Sequence, residues 1–400
     1  MARGRMAVRL TSLNGVLLMN VATLAPTRLR MAGLFLPPLM AWIAGNLLRY
    51  GLYEAGHGGA GFGQYLRALC VLDCQWYETI IRGGYDLTAT RHVLADGANW
   101  AFFPLLPLLV AGLAPLLGGD VLIAGFVVSS LATFATAMLA RPLLSMRGYG
   151  LFCVFLFIGP FSFHFSTLYT ESLFMALTLL GFAALRKGDY VGAGLAGALL
   201  SATRVSGVFL SLSMGLQALL DAKRGERGWW RAIGLVLRRG DIVLGILLAP
   251  LGLFAFMAFL HRHIGDALAF SHVQRSWGRE LGNPLAYLWD GLTAPPAAGQ
   301  WIGFNQAWAI AAIIGFALCA ELVRRREWAL ALLCTITLIV PLTTEIFSMT
   351  RFVVGLAPLM VLAMGLLARW TWLCVLAALV FIASDIVLLP QWIAASYYLM

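Results

Sequence analysis

Of the 400 residues, 61% are hydrophobic and 12% charged, against about 25% charged in a soluble globular domain. Water is therefore not the main solvent of this chain, and one helical membrane domain is expected rather than a set of soluble ones. The net charge of +10 does not mark a nucleic-acid binder, because the bases sit in short clusters between apolar runs and form no continuous face with interleaved aromatics.

In chain order, residues 1–30 place Arg3, Arg5, Arg9, Arg28 and Arg30 around an apolar stretch at 15–25. This reads as a signal peptide or as a basic interfacial segment, and no small-residue cleavage site precedes the next apolar run. Apolar runs long enough to cross a bilayer, on the order of 20 residues each, begin at Met31. Spans are expected at 31–50, 120–140, 149–166, 170–186, 190–203, 205–221, 240–261, 302–322, 328–346, 352–369 and 371–389. The short pair 190–203 and 205–221, split by Arg204, reads as a hairpin of half-spans or one bent helix.

Residues 101–117 are also apolar, but Pro104, Pro107 and Pro115 interrupt them. A helix lying at the outer interface is expected there, because a span would put Arg141 and Arg147 outside and misplace the later basic clusters. With that choice most bases fall inside: Arg141/Arg147, Arg186/Lys187, Lys223–Arg239, Arg324–Arg326 and Arg369. Most acids fall outside, among them Glu54, Asp73, Glu78, Asp86, Asp96, Asp120, Glu171 and Glu345. The expected architecture is thus an all-α polytopic membrane protein with about 11 transmembrane helices over 31–400. Outer-face juxtamembrane helices sit in two long outer segments, 51–119 and 262–301, and loops of that length are usually functional.

Cysteine chemistry is not expected. Cys153, Cys319, Cys334 and Cys374 lie in apolar runs, and Cys70 and Cys74, expected on one short helix, have poor disulfide geometry. No Cys/His cluster has metal-site spacing, so no cofactor is expected and metal dependence stays open.

The first outer segment carries Asp73, Trp76, Tyr77, Glu78, Tyr85 and Asp86. Asp73 ends an apolar stretch, where a carboxylate keeps its charge at reduced dielectric and suits general-base work. Trp76 and Tyr77 beside it offer flat faces for stacking on sugar rings, although an interfacial belt has the same composition. Glu171 precedes an apolar run and reads equally as a charge favoured by a helix N-terminus or as a second site carboxylate. Arg204, between two apolar stretches, costs at least about 2.5 kcal/mol at membrane depth unless it faces a partner or a cavity. It is either half of an ion pair or a phosphate clamp, since a guanidinium fork matches phosphate oxygens; Arg351 has the same options. In the second outer segment, His272 and Gln274 lie among Arg275, Trp277 and Arg279. Spacing by four puts Arg275 and Arg279 on one helical face, where they would grip a lipid phosphate or ordinary anionic head groups.

No nucleotide-phosphate loop or Rossmann signature occurs on the inner side. A sugar donor handled from outside would therefore be a lipid-phosphate sugar, whose leaving group needs charge stabilisation more than a general acid. A transporter or flippase of a lipid-linked or amphipathic solute is the alternative, with Arg204, Arg351 and Glu171 as pathway charges. The lack of an internal repeat disfavours folds built from duplicated halves. A non-catalytic membrane subunit is the third reading.

Six blocks in order resemble the PIG-V-type family, the second GPI mannosyltransferase and its shorter bacterial relatives, in the GT-C class. They are LDCQWYETIIRGGY (72–85), WAFFPLLPLL (100–109), FHFSTLYTESLF (163–174), SATRVSGV (201–208), FSHVQRSWGRELGNP (270–284) and MTRFVVGLAPLM (349–360). Leu72 replaces the family's usual Trp. The resemblance implies a GT-C-like fold and an inverting transferase that uses a polyprenyl-phosphate-linked mannose at the outer face. It implies Asp73 as the base that deprotonates an acceptor hydroxyl. Arg204 and Arg351 would hold the donor phosphate, Arg275 and His272 would support them, and Trp76, Tyr77, Glu78, Tyr85, Glu171 and Gln274 would contact sugar or acceptor. The partners implied are the lipid donor, a lipid or glycan acceptor and membrane lipids, in a bacterial inner membrane with the site facing the periplasm.

Overall fold

The structure is a computed structural model, and it describes residues 28–92, 95–296 and 303–395. The basic N-terminal segment expected at 1–30 falls almost wholly outside the described residues. Nearly everything else is helical. α1 (Arg28–His57), α2 (Gly61–Leu69) and α3 (Asp73–Gly83) are followed by a short antiparallel hairpin, β1 (Thr90–His92) and β2 (Ala95–Gly97), with Arg91 opposite Asp96. α4 (Leu105–Leu113) starts just after Pro104 and tightens into a 3-10 turn to Leu117. α5 (Val121–Ala140) is capped by the Asp120 carboxylate, which accepts from the Leu122 and Ile123 amides, and α6 (Met146–Ile158) by Ser145. α7 (Glu171–Arg186) and α8 (Tyr190–Ser201) come next, then a 3-10 turn at Val205–Val208 that leads into α9 (Phe209–Gly225).

α10 (Trp229–Arg238) joins α9 to α11 (Gly240–Leu248), and Pro250 separates α11 from α12 (Leu251–Ile264) with a 43° bend. α13 (Ala269–His272) is a single turn, and α14 (Pro284–Thr293) is capped by Asn283. α15 (Phe304–Arg324), α16 (Trp328–Leu342), α17 (Met349–Val354), α18 (Ala357–Leu367) and α19 (Thr371–Ile393) complete the bundle.

Among the described residues, four helical segments are long and apolar enough to cross a membrane: Val121–Leu143, Val205–Gly225, Phe304–Arg324 and Thr371–Ile393. The bent pair Gly240–Leu248 and Leu251–Ile264 makes a fifth. The chain is a multi-pass membrane protein. Several other segments expected as spans form shorter apolar helices: Met146–Ile158, Tyr190–Ser201, Trp328–Leu342 and Ala357–Leu367. The apolar piece Leu105–Leu117 is about 20 Å long at 1.5 Å per residue, short of a core of roughly 30 Å. The two readings of 190–221 also separate: α8 ends at Ser201, the backbone is extended at Arg204 (φ −157°, ψ 148°), and a new helical segment starts at Val205.

The bundle has two distinct ends. At one, Arg186 pairs with Glu327 at 3.2 Å and Arg147 donates to the Thr371 hydroxyl at 2.7 Å. At the other, Arg204 and Arg351 meet Glu171, the first residue of α7. The basic clusters thus gather away from the end that carries Asp73. Between them α1 packs on α6 so closely that a Cβ at Gly45 would sit 2.0 Å from the Phe157 carbonyl oxygen.

A polar knot pins this packing. Arg49, fully buried on α1, donates to the Phe157 carbonyl (2.8 Å), the Ser162 hydroxyl (2.5 Å) and the Ser166 hydroxyl (3.2 Å). Buried Asp385 of α19 lies 3.4 Å away and accepts from Ser162 at 3.0 Å. Each charge is taken out of water only because the other, with three neutral groups, replaces its hydration. The knot holds the 159–166 connection, which leads directly to Glu171.

Candidate active site

Asp73 opens α3, and the residue before it, Leu72, has φ +57°. Ser348 (φ +65°) stands immediately before α17, which carries Arg351, and Phe161 (φ +68°) begins the connection to Glu171. Left-handed backbone is costly for residues with a Cβ, and it persists where surrounding packing over-determines it. Here three such residues sit at the entries to three of the segments that deliver site side chains.

The break at Leu72 overturns the expectation for Cys70 and Cys74. They are disulfide-bonded, with Cα atoms 5.1 Å apart. Cys70 closes α2 and Cys74 is the second residue of α3, so the reversal between two helices brings together side chains that a single helix would hold apart. Asp73 lies inside the clipped loop.

Four charged side chains from four segments converge. Arg351 Nη1 donates to Asp73 Oδ2 at 2.5 Å, and its Nε lies 3.3 Å from Glu171 Oε1. The same Glu171 oxygen accepts from Arg204 Nη2, while Arg204 Nε donates to the Thr170 hydroxyl at 2.8 Å. Glu171 is fully buried, whereas the Asp73 side chain keeps 26% of its exposure. Asp73 is thus the carboxylate of this pair that a solute can reach. Both guanidiniums lie about one ring-contact away from aromatics, Arg351 from Tyr169 and Phe352 and Arg204 from Phe174 and Phe352. Tyr77, one turn on from Asp73, is buried and hydrogen-bonded to Thr170. A tight turn supports Arg204: the Gly207 amide donates to its carbonyl at 2.9 Å, and a Cβ at Gly207 would overlap the Leu200 backbone.

The second outer segment contributes a different arginine from the one expected. Arg275 and Arg279 do not share a helical face, because the 3-10 turn Val273–Trp277 ends at Gly278 (φ +72°) and the chain reverses. Arg275 points to solvent. Arg279 turns inward, donates to Gln274 Oε1 at 2.8 Å, and lies within electrostatic reach of Arg351, Asp73, Glu345 and Arg204. Burial first, and then the neighbouring Arg351 charge, hold its guanidinium below the usual arginine range. Burial pushes the Glu345 carboxyl up, against the pull of Arg279.

Aromatics from both outer segments wall this centre. Trp76 stacks on Phe102 (centroids 5.7 Å, 17°) and meets Trp277 edge-on at 5.7 Å; Tyr77 meets Phe102 at 5.1 Å.

The other expected residues serve the frame. Glu78 leaves α3 on another face and binds Arg67 (2.5 Å) and Arg82 (2.9 Å). Tyr85 donates its hydroxyl to the Phe102 carbonyl at 2.7 Å and offers its own carbonyl to His263. His272 is exposed and pairs with Asp266 at 2.7 Å. These side chains are tied up away from Asp73, whereas Glu171 and Gln274 belong to the centre. An open cleft of about 380 Å³ between Arg82, Ala111 and Val121 is lined by none of the converging charges. Among the described residues, no group of three or more His, Cys, Asp and Glu side chains is placed to hold a metal ion.

Thr170 and Phe102 had no separate signal in the sequence, Glu345 had only its place among the outer acids, and Arg279 had only its place near Arg275. Comparison with known proteins adds no identity: no family model, no curated protein and no solved structure matches this chain.

Proposed function

We propose that this chain is a glycosyltransferase of the PIG-V-like, GT-C kind. It moves a mannose or similar hexose, with inversion, from a polyprenyl-phosphate-linked donor to a hydroxyl of a lipid or glycan acceptor. The observation that carries the reading is the Asp73 carboxylate set among three guanidiniums, Arg351, Arg204 and Arg279, beside the Trp76–Phe102–Trp277 wall. Three arginines face the two central carboxylates, Asp73 and Glu171, an excess of guanidiniums that suits an anion.

In the reaction, Asp73 accepts the proton of the acceptor hydroxyl as its oxygen bonds to the anomeric carbon. The bond from that carbon to the phosphate oxygen breaks, and the electron pair leaves with the polyprenyl phosphate. The arginines stabilise the charge that develops there, in a site where low dielectric strengthens each contact. Arg351 holds Asp73, and in this reading the donor phosphate draws the guanidinium off and frees the base. Glu171 keeps both Arg351 and Arg204 aimed throughout. The aromatic wall stacks on the sugar.

The same reading has about 11 crossings, with the shorter apolar helices completing them, and the Asp73 end facing the periplasm of a bacterial inner membrane. A disulfide beside Asp73 supports that side, since such bonds persist in oxidising compartments. The collection of basic clusters at the opposite end supports it as well.

The test is transfer from labelled polyprenyl-phosphate mannose by the purified chain in vesicles, with a membrane lipid extract as acceptor. Glycosylated lipid and released polyprenyl phosphate are expected from the wild type and not from Asp73→Asn. Retained transfer by that variant would remove the base assignment. Solute uptake or lipid scrambling without product would favour the transporter reading.

A further inference from the structure

We infer that α10 is an in-plane docking helix for the head groups of anionic phospholipids, on the membrane face opposite Asp73. Its position follows from its neighbours. α9 belongs to the span Val205–Gly225, which starts beside Arg204 and runs about 31 Å away from the site at 1.5 Å per residue. α11 starts the next, bent crossing at Gly240. α10 therefore joins two crossings at one membrane surface.

The helix has three stripes. Ala232 is buried and Val236, four residues on, packs against the core. Trp230 (85% exposed) and Leu237 (67% exposed), seven apart, share a second stripe that faces outward. Arg231 and Arg238, also seven apart and exposed, form the third. A Trp and a Leu displayed beside two arginines is the pattern of a helix that lies in the head-group region.

Charge selects the occupant. Nearby Arg224 is taken by Asp221 (3.0 Å) and Arg239 by Asp241 (2.5 Å). Among the described residues, Arg227, Arg231 and Arg238 have no carboxylate partner, so three positive charges face outward around the apolar stripe. An anionic leaflet satisfies both features together: phosphates for the arginines and acyl boundary for Trp230 and Leu237.

The inference does not rest on the glycosyltransferase reading. It is tested with the full chain in nanodiscs, comparing quenching of the Trp230 signal (wild type minus Trp230→Phe) by brominated phosphatidylglycerol and brominated phosphatidylcholine at equal mole fraction. The anionic lipid is expected to quench about threefold more or better, a preference that high salt lowers and that Arg227→Gln/Arg231→Gln/Arg238→Gln removes. Equal quenching by the two lipids in the wild type would overturn the anionic preference. Quenching by neither would place α10 off the membrane and overturn the proposal entirely. Both overturning results come from the wild-type fold, so a poorly folding arginine variant does not blunt the test.

Discussion

Arg351 reaches across 278 positions of sequence to donate to Asp73 at 2.5 Å, and its other edge lies 3.3 Å from Glu171. One planar guanidinium thereby ties the start of α3 to the start of α7. An arginine fork makes such two-sided contacts and a lysine ammonium does not. Asp73→Asn should keep this tie, because its amide oxygen still accepts from Arg351. Transfer from the lipid donor should fall by about 100-fold or more with little change in melting temperature. Single-turnover transfer and a thermal melt of the same sample check both halves.

Arg279 and Arg275 should separate cleanly. Arg279 faces the converging charges and Arg275 faces solvent. Arg279→Ala is expected to raise the donor KM by about tenfold, the worth of one charge-assisted contact, and Arg275→Ala to leave it near wild type. Donor titrations of the two variants decide.

Glu78 should shape acid stability. Burial alone would raise its carboxyl, but Arg67 and Arg82 pull it below its ordinary value. A carboxylate depressed by folding stabilises the protein above the unfolded value, and that contribution is lost as pH falls through the lower folded value. Both arginines are more than half exposed, so water screens the pairs and about 1 kcal/mol is expected. Glu78→Gln should lower stability by that amount at neutral pH and flatten the acid side of a melting-temperature profile.

The Arg49–Asp385 knot should show strong coupling. Asp385→Ala leaves a fully buried guanidinium without its counter-charge and should cost about 3 kcal/mol or more. Arg49→Leu with Asp385→Leu removes both charges and should recover much of that loss. Melts of the two single variants and the pair measure the coupling directly.

Six cysteines should yield four titratable thiols in the unfolded, unreduced chain, because Cys70 and Cys74 are bonded to each other. Closing so short a loop is worth about 2 kcal/mol in the chain-entropy account. Reduction should therefore lower the melting temperature, and it should lower transfer too, since Asp73 lies in the loop that the bond closes.

Much of the frame was legible before any coordinates. Apolar runs separated by basic clusters located most helices, since hydropathy over a window is a local property. Asp73, Glu171, Arg204 and Arg351 stood out because a charge beside an apolar run is costly unless it has a use. The eleven-span count was less legible: helices such as Met146–Ile158 and Ala357–Leu367 are shorter than the apolar runs that contain them, since breaks at Gly159 and Leu356 depend on packing rather than on hydropathy.

By itself, the sequence determined that this is a multi-pass helical membrane protein and which charged residues had to find partners. Only the tertiary structure decided who those partners are. It turned Arg279 inward in place of Arg275 and His272, made Glu78 a strut and Tyr85 a brace, and joined Cys70 to Cys74. Each outcome hangs on a backbone reversal, at Leu72 or Gly278, or on a contact between distant segments, as at Asp73 with Arg351. Helical periodicity predicts which residues share a face only while the helix continues. Where the chain turns, long-range packing chooses the direction of every side chain that follows.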